Sequence, residues 1–190
     1  PNETFFLNVS NGFHITIADT QAKGVINDNE RPKIADADRD GKSDYWLFRP
    51  TDGNWYGLAS RNNYSFFAVH FGQSGDIPVG GDYDGDGYPD YAVWRPSNGV
   101  WYVFRTSDGQ TSAYQFGVST DIPVQGDFDG DRRADFAVFR PATGIWYIRN
   151  SYSQTFTVQQ FGLSGDVPVK GDFDGDGRTD RAVFRPSTGI

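Results

Sequence analysis

Short apolar segments alternate with segments rich in Gly, Pro, Asp and Ser along most of the chain. Residues 122–161 display this most clearly, with apolar segments at 122–126, 136–140, 145–149 and 155–161. Apolar segments of this length, each bounded by turn-forming residues, predict short strands that run up and down in one sheet. No segment carries a sustained helical apolar period. The pattern therefore predicts an all-β fold.

The whole pattern returns about every 45 residues. A segment Asp-x-Asp-x-Asp, with a fourth Asp four positions later, starts at four places that are 46, 45 and 45 residues apart. A unit of this size cannot bury a core by itself, so neighbouring units must pack on each other. Several strands are apolar on both faces, as expected if each sheet lies between two others. The repeat therefore predicts a β-propeller with four-stranded blades at about 31–71, 76–116, 121–161 and 166–190.

The two ends of the chain predict how this propeller closes. The fourth unit ends at residue 190, where the other units continue with a Trp-containing strand. The apolar segments 5–9 and 13–17 resemble the missing third and fourth strands of a blade. We therefore expect residues 4–18 to complete the fourth blade, so that residues 1–190 form one closed four-bladed domain without open sheet edges. A piece of a longer propeller, and a half-ring completed by dimerisation, are the alternatives.

Four nine-residue loops carry the clearest chemistry, and we call them loop 1 (36–44), loop 2 (82–90), loop 3 (127–135) and loop 4 (172–180). Positions one, three, five and nine are Asp in every loop. Alternate positions of a tight loop can direct side chains to one point, and Ca²⁺ prefers several oxygen ligands. The carbonyl of position seven adds another oxygen. The predicted ligands are Asp36, Asp38, Asp40, Lys42 and Asp44; Asp82, Asp84, Asp86, Tyr88 and Asp90; Asp127, Asp129, Asp131, Arg133 and Asp135; and Asp172, Asp174, Asp176, Arg178 and Asp180.

The details of the loops favour up to four calcium ions, one in each loop. Position six is Gly in three loops, which suits a sharp bend, but Arg132 in loop 3 makes the third site the weakest candidate. An EF-hand would need flanking helices and a Glu at position twelve, where this chain has Leu or Val in a predicted strand. We expect the calcium to stabilise the fold. Direct contact of the calcium with a ligand, and Asp-rich turns without a metal, are the alternatives.

Composition narrows the classes of partner. The formal net charge is −8, and the loops hold sixteen of the 25 acidic residues, so four divalent cations would cancel it. No basic stripe stands out, which argues against nucleic acid as a partner. The sequence contains no Cys, which excludes disulfides and thiolate chemistry. No apolar run is long enough for a membrane helix. Because the chain opens on Pro rather than Met, we expect a processed or trimmed product.

The repeat resembles the FG-GAP/VCBS type, the family of integrin α-subunit propellers and of many secreted bacterial proteins. Phe-Gly pairs at 71–72, 116–117 and 161–162 carry the resemblance, each followed by a segment such as Ile122-Pro123-Val124 and then by an Asp loop. The resemblance covers about residues 31–190. It implies that each loop joins the first two strands of a blade and binds calcium through the Asp positions given above. Two features depart from the family: the N-terminal segment lacks Phe-Gly, and the four repeats of this chain are fewer than the usual seven blades.

Other recurring residues are interpreted as structural. An Arg-Pro pair ends the second strand of every unit, and we expect each Arg to pair with a repeated carboxylate, Asp76, Asp121 or Asp166. Trp55, Trp101 and Trp146 recur in step, which indicates packing between sheets. Residues that break the repeat are better candidates for ligand recognition, because packing does not require them. These candidates are Trp46, Arg61, Tyr64 and His70.

Three functional classes remain open from the sequence. We expect a secreted or cell-surface, calcium-stabilised module, monomeric or self-assembling, that recognises a glycan or an extracellular protein through its loops. A structural subunit of a surface layer or filament is the alternative. A polysaccharide-acting enzyme fits less well, because catalysis needs one distinct constellation and the acidic chemistry here is fourfold. We therefore expect no catalytic residues, no membrane insertion and no cofactor other than Ca²⁺.

Overall fold

The computed structural model describes residues 2–8, 21–27 and 36–189. The described strands pair antiparallel throughout, and the described helical content is a single 3-10 turn at Ser60–Asn62. The predicted all-β class is therefore confirmed. The chain divides into two compact units, residues 1–31 and 32–190. Within the described residues, no helix has the length and apolar character needed to cross a membrane.

The described residues of the first unit form a two-stranded antiparallel sheet. Strand β1 (Asn2–Asn8) pairs with β2 (Gln21–Asn27), in a register that places Asn2 opposite Asn27. The sequence predicted β1, but it predicted 13–17 as the neighbouring strand and did not predict β2. Residues 13–17 lie outside the described residues. The completion of the fourth blade by residues 4–18 therefore stays a prediction.

Residues 36–189 of the second unit form four successive antiparallel sheets, in which strands adjacent in the sequence are adjacent in space. Sheets 2 and 3 have the predicted four strands. Sheet 1 consists of β3 (Tyr45–Arg49), β4 (Asn54–Ala59) and β5 (Ser65–His70); sheet 2 of β6 (Ile77–Pro78), β7 (Tyr91–Arg95), β8 (Val100–Phe104) and β9 (Thr111–Gln115); sheet 3 of β10 (Ile122–Pro123), β11 (Phe136–Arg140), β12 (Ile145–Arg149) and β13 (Phe156–Gln160); and sheet 4 of β14 (Val167–Gly171) and β15 (Asp180–Phe184).

The sheets stack face to face, and each hydrophobic cluster contains residues of two successive sheets. Trp55 of sheet 1 packs with Tyr91 and Val93 of sheet 2. Trp94 and Trp101 of sheet 2 pack with residues of sheet 3 in the same way. The third cluster joins Phe139 and Trp146 of sheet 3 to Val183 of sheet 4. The predicted packing role of the three repeated Trp residues is confirmed, because all three are buried.

The Phe-Gly pair closes sheets 1, 2 and 3 at one end. In sheet 3 the indole N–H of Trp146 donates to the carbonyl of Phe161 at 3.0 Å, and Phe161 donates its own N–H to Gly144 at 3.0 Å. A Cβ on Gly144 would lie 2.3 Å from the carbonyl oxygen of Gly162. This approach leaves no space for a side chain at position 144, and it recurs at the equivalent glycines of sheets 1 and 2. The repeated glycines are therefore a requirement of backbone packing.

An Arg–Asp ion pair ties the second strand of sheets 2, 3 and 4 to the turn before the first strand. Arg140 at the end of β11 donates two hydrogen bonds to Asp121, at 2.8 and 3.0 Å, and lies over the ring of Tyr147. Arg95 and Arg185 make the same bidentate contact with Asp76 and Asp166. The predicted pairing of the repeated Arg with these carboxylates is confirmed.

Candidate metal centre

The Asp loops fold around their own carboxylates. Position one accepts backbone N–H groups from positions four to six; in loop 1, Asp36 accepts from Asp40 at 3.1 Å and from Gly41 at 2.9 Å. Position three accepts from position five, and position five accepts from the N–H of position seven, as in the 2.9 Å bond from Lys42 to Asp40. Asp favours such local bonds because its short side chain reaches the backbone two residues ahead. The repeated Asp pattern therefore encodes the loop conformation itself.

The same folding brings three carboxylates of each loop to one point. In each of the four sets, one oxygen per residue lies within 4.8 Å of the others. The sets are Asp36, Asp38 and Asp40; Asp82, Asp84 and Asp86; Asp127, Asp129 and Asp135; and Asp172, Asp174 and Asp180. Three convergent carboxylates form the kind of oxygen cluster that a hard divalent cation prefers. The predicted positions one and three thus meet in all four loops.

The Asp at position nine holds the loop in place through hydrogen bonds, in addition to any role as a metal ligand. One oxygen of Asp135 accepts the N–H of Phe128 at 2.8 Å, and the other accepts the N–H of Ser151 at 2.8 Å. The first bond closes the loop on itself, and the second fastens it to the turn that follows β12. Asp44 and Asp90 make the equivalent pairs of bonds. In loops 1, 2 and 3, both carboxylate oxygens of position nine therefore accept backbone N–H groups.

Burial and mutual repulsion disfavour the charged form of several carboxylates in loops 2 and 3. Burial, together with the charges of the carboxylates at positions one and three, raises the pKa of Asp90 to about 6 and that of Asp135 to about 7, although backbone N–H donors act in the opposite direction. Burial also raises the pKa of Asp82 and Asp131. A bound cation would reverse this balance, because it favours deprotonated ligands.

Loop 3 keeps the conformation of the other loops although Arg132 replaces Gly at position six. Arg132 has a φ of 71°, close to the 85° of Gly177 at the same position in loop 4. Loop 1 contains the complementary exception, since Arg39 at position four has a φ of 62° where Gly85 has 79°. Each Arg occupies a left-handed conformation that favours Gly. The third loop is therefore strained, and its ligand arrangement is retained.

Loop 3 also contains polar atoms that fit a bound cation. The second carboxylate oxygen of Asp131 and the hydroxyl oxygen of Ser151 are buried without a hydrogen-bond partner. In loop 1 the equivalent pair is satisfied, because Ser60 donates its hydroxyl hydrogen to Asp40 at 3.0 Å. Buried polar atoms without partners are costly unless an ion or water completes them. An oxygen-rich set of this kind has the ligand chemistry of a hard divalent cation, in the loop for which the sequence was least favourable.

One segment of the chain matches a known repeat. Residues 82–138 match the family model of the FG-GAP-like repeat. The matched segment runs from the first residue of loop 2 to β11, so it contains the strand pattern and the loop described above. An FG-GAP-like repeat, predicted from the sequence, is thereby confirmed for this segment. No curated protein and no solved structure matches the chain.

Two position-seven residues, Arg133 and Arg178, also contact the preceding loop through their side chains, which the sequence did not predict. Arg133 of loop 3 lies against loop 2, where a Cβ on Gly85 would approach its guanidinium Nε to 2.9 Å. Arg178 of loop 4 lies against Gly130 of loop 3 at the same 2.9 Å. The use of the position-seven carbonyls as metal ligands stays a prediction.

The four candidate ligand-binding residues do not come together. Arg61 lies at loop 1, where its backbone N–H donates to Asp38 at 2.8 Å, and Tyr64 follows in the same turn. Trp46 packs between sheets 1 and 2, 5.3 Å from Trp55 between ring centroids. His70 is at the opposite end of β5. Only Arg61 and Tyr64 are therefore available to a common surface.

The sequence pattern left out the residues that fasten each loop to its sheet. Ser60, Thr106 and Ser151 donate their backbone N–H to the position-nine carboxylate, and each follows that Asp by 16 residues. A Ser or Thr at this fixed distance in three consecutive repeat units is a signal that the sequence contains. It is weak by itself, because the donor is a backbone group that any residue except Pro supplies.

Proposed function

We propose that this protein is a non-catalytic, calcium-stabilised binding module of the extracellular space. The observation that carries the proposal is the convergence of three carboxylates in each of four loops. Bound Ca²⁺ would neutralise the negative charge that these carboxylates bring together. The chain provides the oxygen ligands from positions one, three and five or nine, and it orients them through backbone N–H donors. Extracellular modules with such loops often bind calcium at about 10⁻⁴–10⁻³ M, which suits a secreted or cell-surface location.

The first experiment measures the melting temperature of the metal-free protein during titration with CaCl₂ and MgCl₂. A ligand that binds only the folded state at a hundred times its Kd adds about 2.7 kcal/mol of stability. We expect a rise with Ca²⁺ that chelator reverses, and a smaller response to Mg²⁺, which demands a stricter geometry. Asp84→Asn and Asp174→Asn are matched variants, because they remove position three from loops 2 and 4. A melting temperature that changes with neither Ca²⁺ nor chelator would refute the proposal.

We also propose that the four sheets are the blades of a closed propeller. Sheet 1 presents an apolar face on which Tyr45, Leu47 and Phe66 are 68%, 57% and 67% exposed. At the positions of Leu47 in sheets 2 and 3, Val93 and Val138 are 1% exposed, because the preceding sheet covers them. Closure of the ring by the fourth blade would cover the remaining face. Light scattering tests this idea: a monomer agrees with the ring, whereas a stable dimer indicates that a second copy covers the face.

The recognition surface of the module is proposed to lie beside loop 1. The turn after β4 carries Arg61 and Tyr64, and Tyr64 is 53% exposed outside the strands of sheet 1. Asn63 and Tyr64 both have positive φ values, of 53° and 60°, although neither is Gly. Strained backbone of this kind persists where the surroundings enforce it, and it is enriched at binding sites. Aromatic rings next to a guanidinium suit a glycan or a protein partner.

A glycan array with millimolar Ca²⁺, repeated with chelator, tests the recognition role. We expect calcium-dependent binding that the double variant R61Q/Y64A abolishes while its melting temperature stays within a few degrees of the wild type. His70→Gln is the control, because His70 lies at the other end of its strand. A blank array from folded, calcium-loaded protein would shift the proposal to the assembly role.

A further inference from the structure

Neighbouring Asp loops are joined by backbone hydrogen bonds. The N–H of Ala134, at position eight of loop 3, donates to the carbonyl of Asp82, at position one of loop 2, at 2.5 Å. The N–H of Thr179, at position eight of loop 4, donates to the carbonyl of Asp127, at position one of loop 3, at 2.6 Å. The same two positions meet at both junctions, so the contact belongs to the repeat. Each acceptor is a residue whose carboxylate is part of a convergent set.

A guanidinium also crosses each described junction between loops. Arg133 and Arg178, at position seven, lie against the position-four glycines of the preceding loops. Between loops 1 and 2 the arrangement is reversed: Arg39, at position four of loop 1, forms a 2.8 Å ion pair with Asp86 and lies 4.3 Å from the ring centroid of Tyr88. Position four of one loop therefore contacts position seven of the next loop at all three junctions.

We infer that the cation sites of loops 2 and 3 are composite and that loops 2, 3 and 4 bind cations cooperatively, because position eight of loop 3 holds position one of loop 2 and position eight of loop 4 holds position one of loop 3. This inference rests on the proposed binding of Ca²⁺ by the loops. Position one has its carboxylate in its own loop and its carbonyl bonded to the next loop. A cation that orders one loop therefore also orders part of its neighbour, and the second cation meets a lower ordering cost.

The chain itself supplies substitutions that test the hydrogen bond without disturbing the loop. Position eight is Pro89 in loop 2 and Ser43 in loop 1, so the loop accepts both residues there. Ala134→Pro removes the N–H that reaches Asp82, since Pro has no backbone donor. Ala134→Ser keeps the donor and is the matched control. Loss of one hydrogen bond of ordinary strength should lower the affinity of loop 2 by about fivefold.

The affinity of loop 2 can be measured by terbium luminescence. Tb³⁺ occupies oxygen sites of the calcium type, and Tyr88 at position seven of loop 2 is suited to excite an ion there. Tyr88→Phe identifies the part of the signal that belongs to this loop. We expect Ala134→Pro to lower the apparent Tb³⁺ affinity measured through Tyr88 by about fivefold, and Ala134→Ser to leave it unchanged. Asp129→Asn removes a ligand from loop 3 and leaves loop 2 unchanged. If a cation in loop 3 raises the affinity of loop 2, this variant should lower the apparent affinity of loop 2 by a similar factor.

The outcomes separate this inference from the proposed function. If neither Tb³⁺ nor Ca²⁺ binds the wild-type protein, the proposed metal binding fails and the coupling fails with it. If cations bind but Ala134→Pro and Ala134→Ser give the same Tyr88-sensitised titration, the composite site is refuted while metal binding stands. If Asp129→Asn leaves loop 2 unaffected or tightens its binding, positive cooperativity is wrong. Calorimetric titration of the wild-type protein with CaCl₂ provides an independent count of the sites and of their cooperativity.

Discussion

At the scale of single residues, the two Arg side chains in left-handed positions make a prediction about strain. Arg132→Gly should raise the free energy of unfolding of the metal-free protein by about 0.5–1 kcal/mol, because relief of the left-handed strain exceeds the added chain entropy of Gly. Arg39→Gly relieves the same strain but removes the ion pair with Asp86 and the contact with Tyr88, so it should stabilise less. Urea unfolding measures both variants. An Arg132→Gly protein no more stable than wild type would contradict the prediction.

The buried carboxylates at position nine predict how the stability of the metal-free protein depends on pH. Their pKa is raised by burial in the folded state, to about 6 for Asp90 and about 7 for Asp135, above the unfolded value near 3.8. Between these limits the folded state binds more protons than the unfolded state, so stability falls as the pH rises. The decline should reach about 1.4 kcal/mol per pH unit for each group between about pH 4 and pH 6–7.

Chelator-treated protein, unfolded in urea at several pH values, gives this slope directly. Asp135→Asn removes one titrating group while it keeps an acceptor oxygen, so it should reduce the slope by about half. Saturating Ca²⁺ should oppose the decline, since metal ligands bind in their deprotonated form. A metal-free protein whose stability increases from pH 5 to pH 7 would show that the position-nine carboxylates are not buried as described.

At the scale of elements, the bidentate Arg–Asp pair predicts a difference between sheets. Arg140→Gln should destabilise the protein by about 2–3 kcal/mol, because it leaves the buried carboxylate of Asp121 without its charged partner. Arg49 holds the same position in sheet 1, but its 3.4 Å contact with Asp52 is exposed. Arg49→Gln should therefore cost less than about 1 kcal/mol. Equal costs for the two variants in urea unfolding would contradict this difference.

The elements also indicate how far the sequence predicts the structure. The strands of sheets 2 and 3 were predictable, because the same apolar segments and turn residues recur in register with the loops. Strand β2 was not, since Gln21–Asn27 contains Gly and Lys and lacks the alternation of a typical strand. Convergence of the Asp side chains was predictable because it depends on spacing within nine residues. Contacts such as that of Ala134 with Asp82 were not, because they depend on how two sheets stack.

At the scale of the whole molecule, substitutions on the exposed face of sheet 1 test whether the four sheets close into a ring. If the fourth blade covers this face in solution, Leu47 is buried as Val93 and Val138 are. Leu47→Asp should then destabilise the monomer by several kcal/mol, because a buried charge without a partner is costly. Val118→Asp, in an exposed loop position, should change stability by less than about 0.5 kcal/mol. Melting curves, together with the mass from light scattering, distinguish the possibilities. A monomer that Leu47→Asp destabilises supports the ring, whereas a dimer that Leu47→Asp dissociates supports an interface between copies. A monomer whose stability Leu47→Asp does not change leaves the face open to a partner.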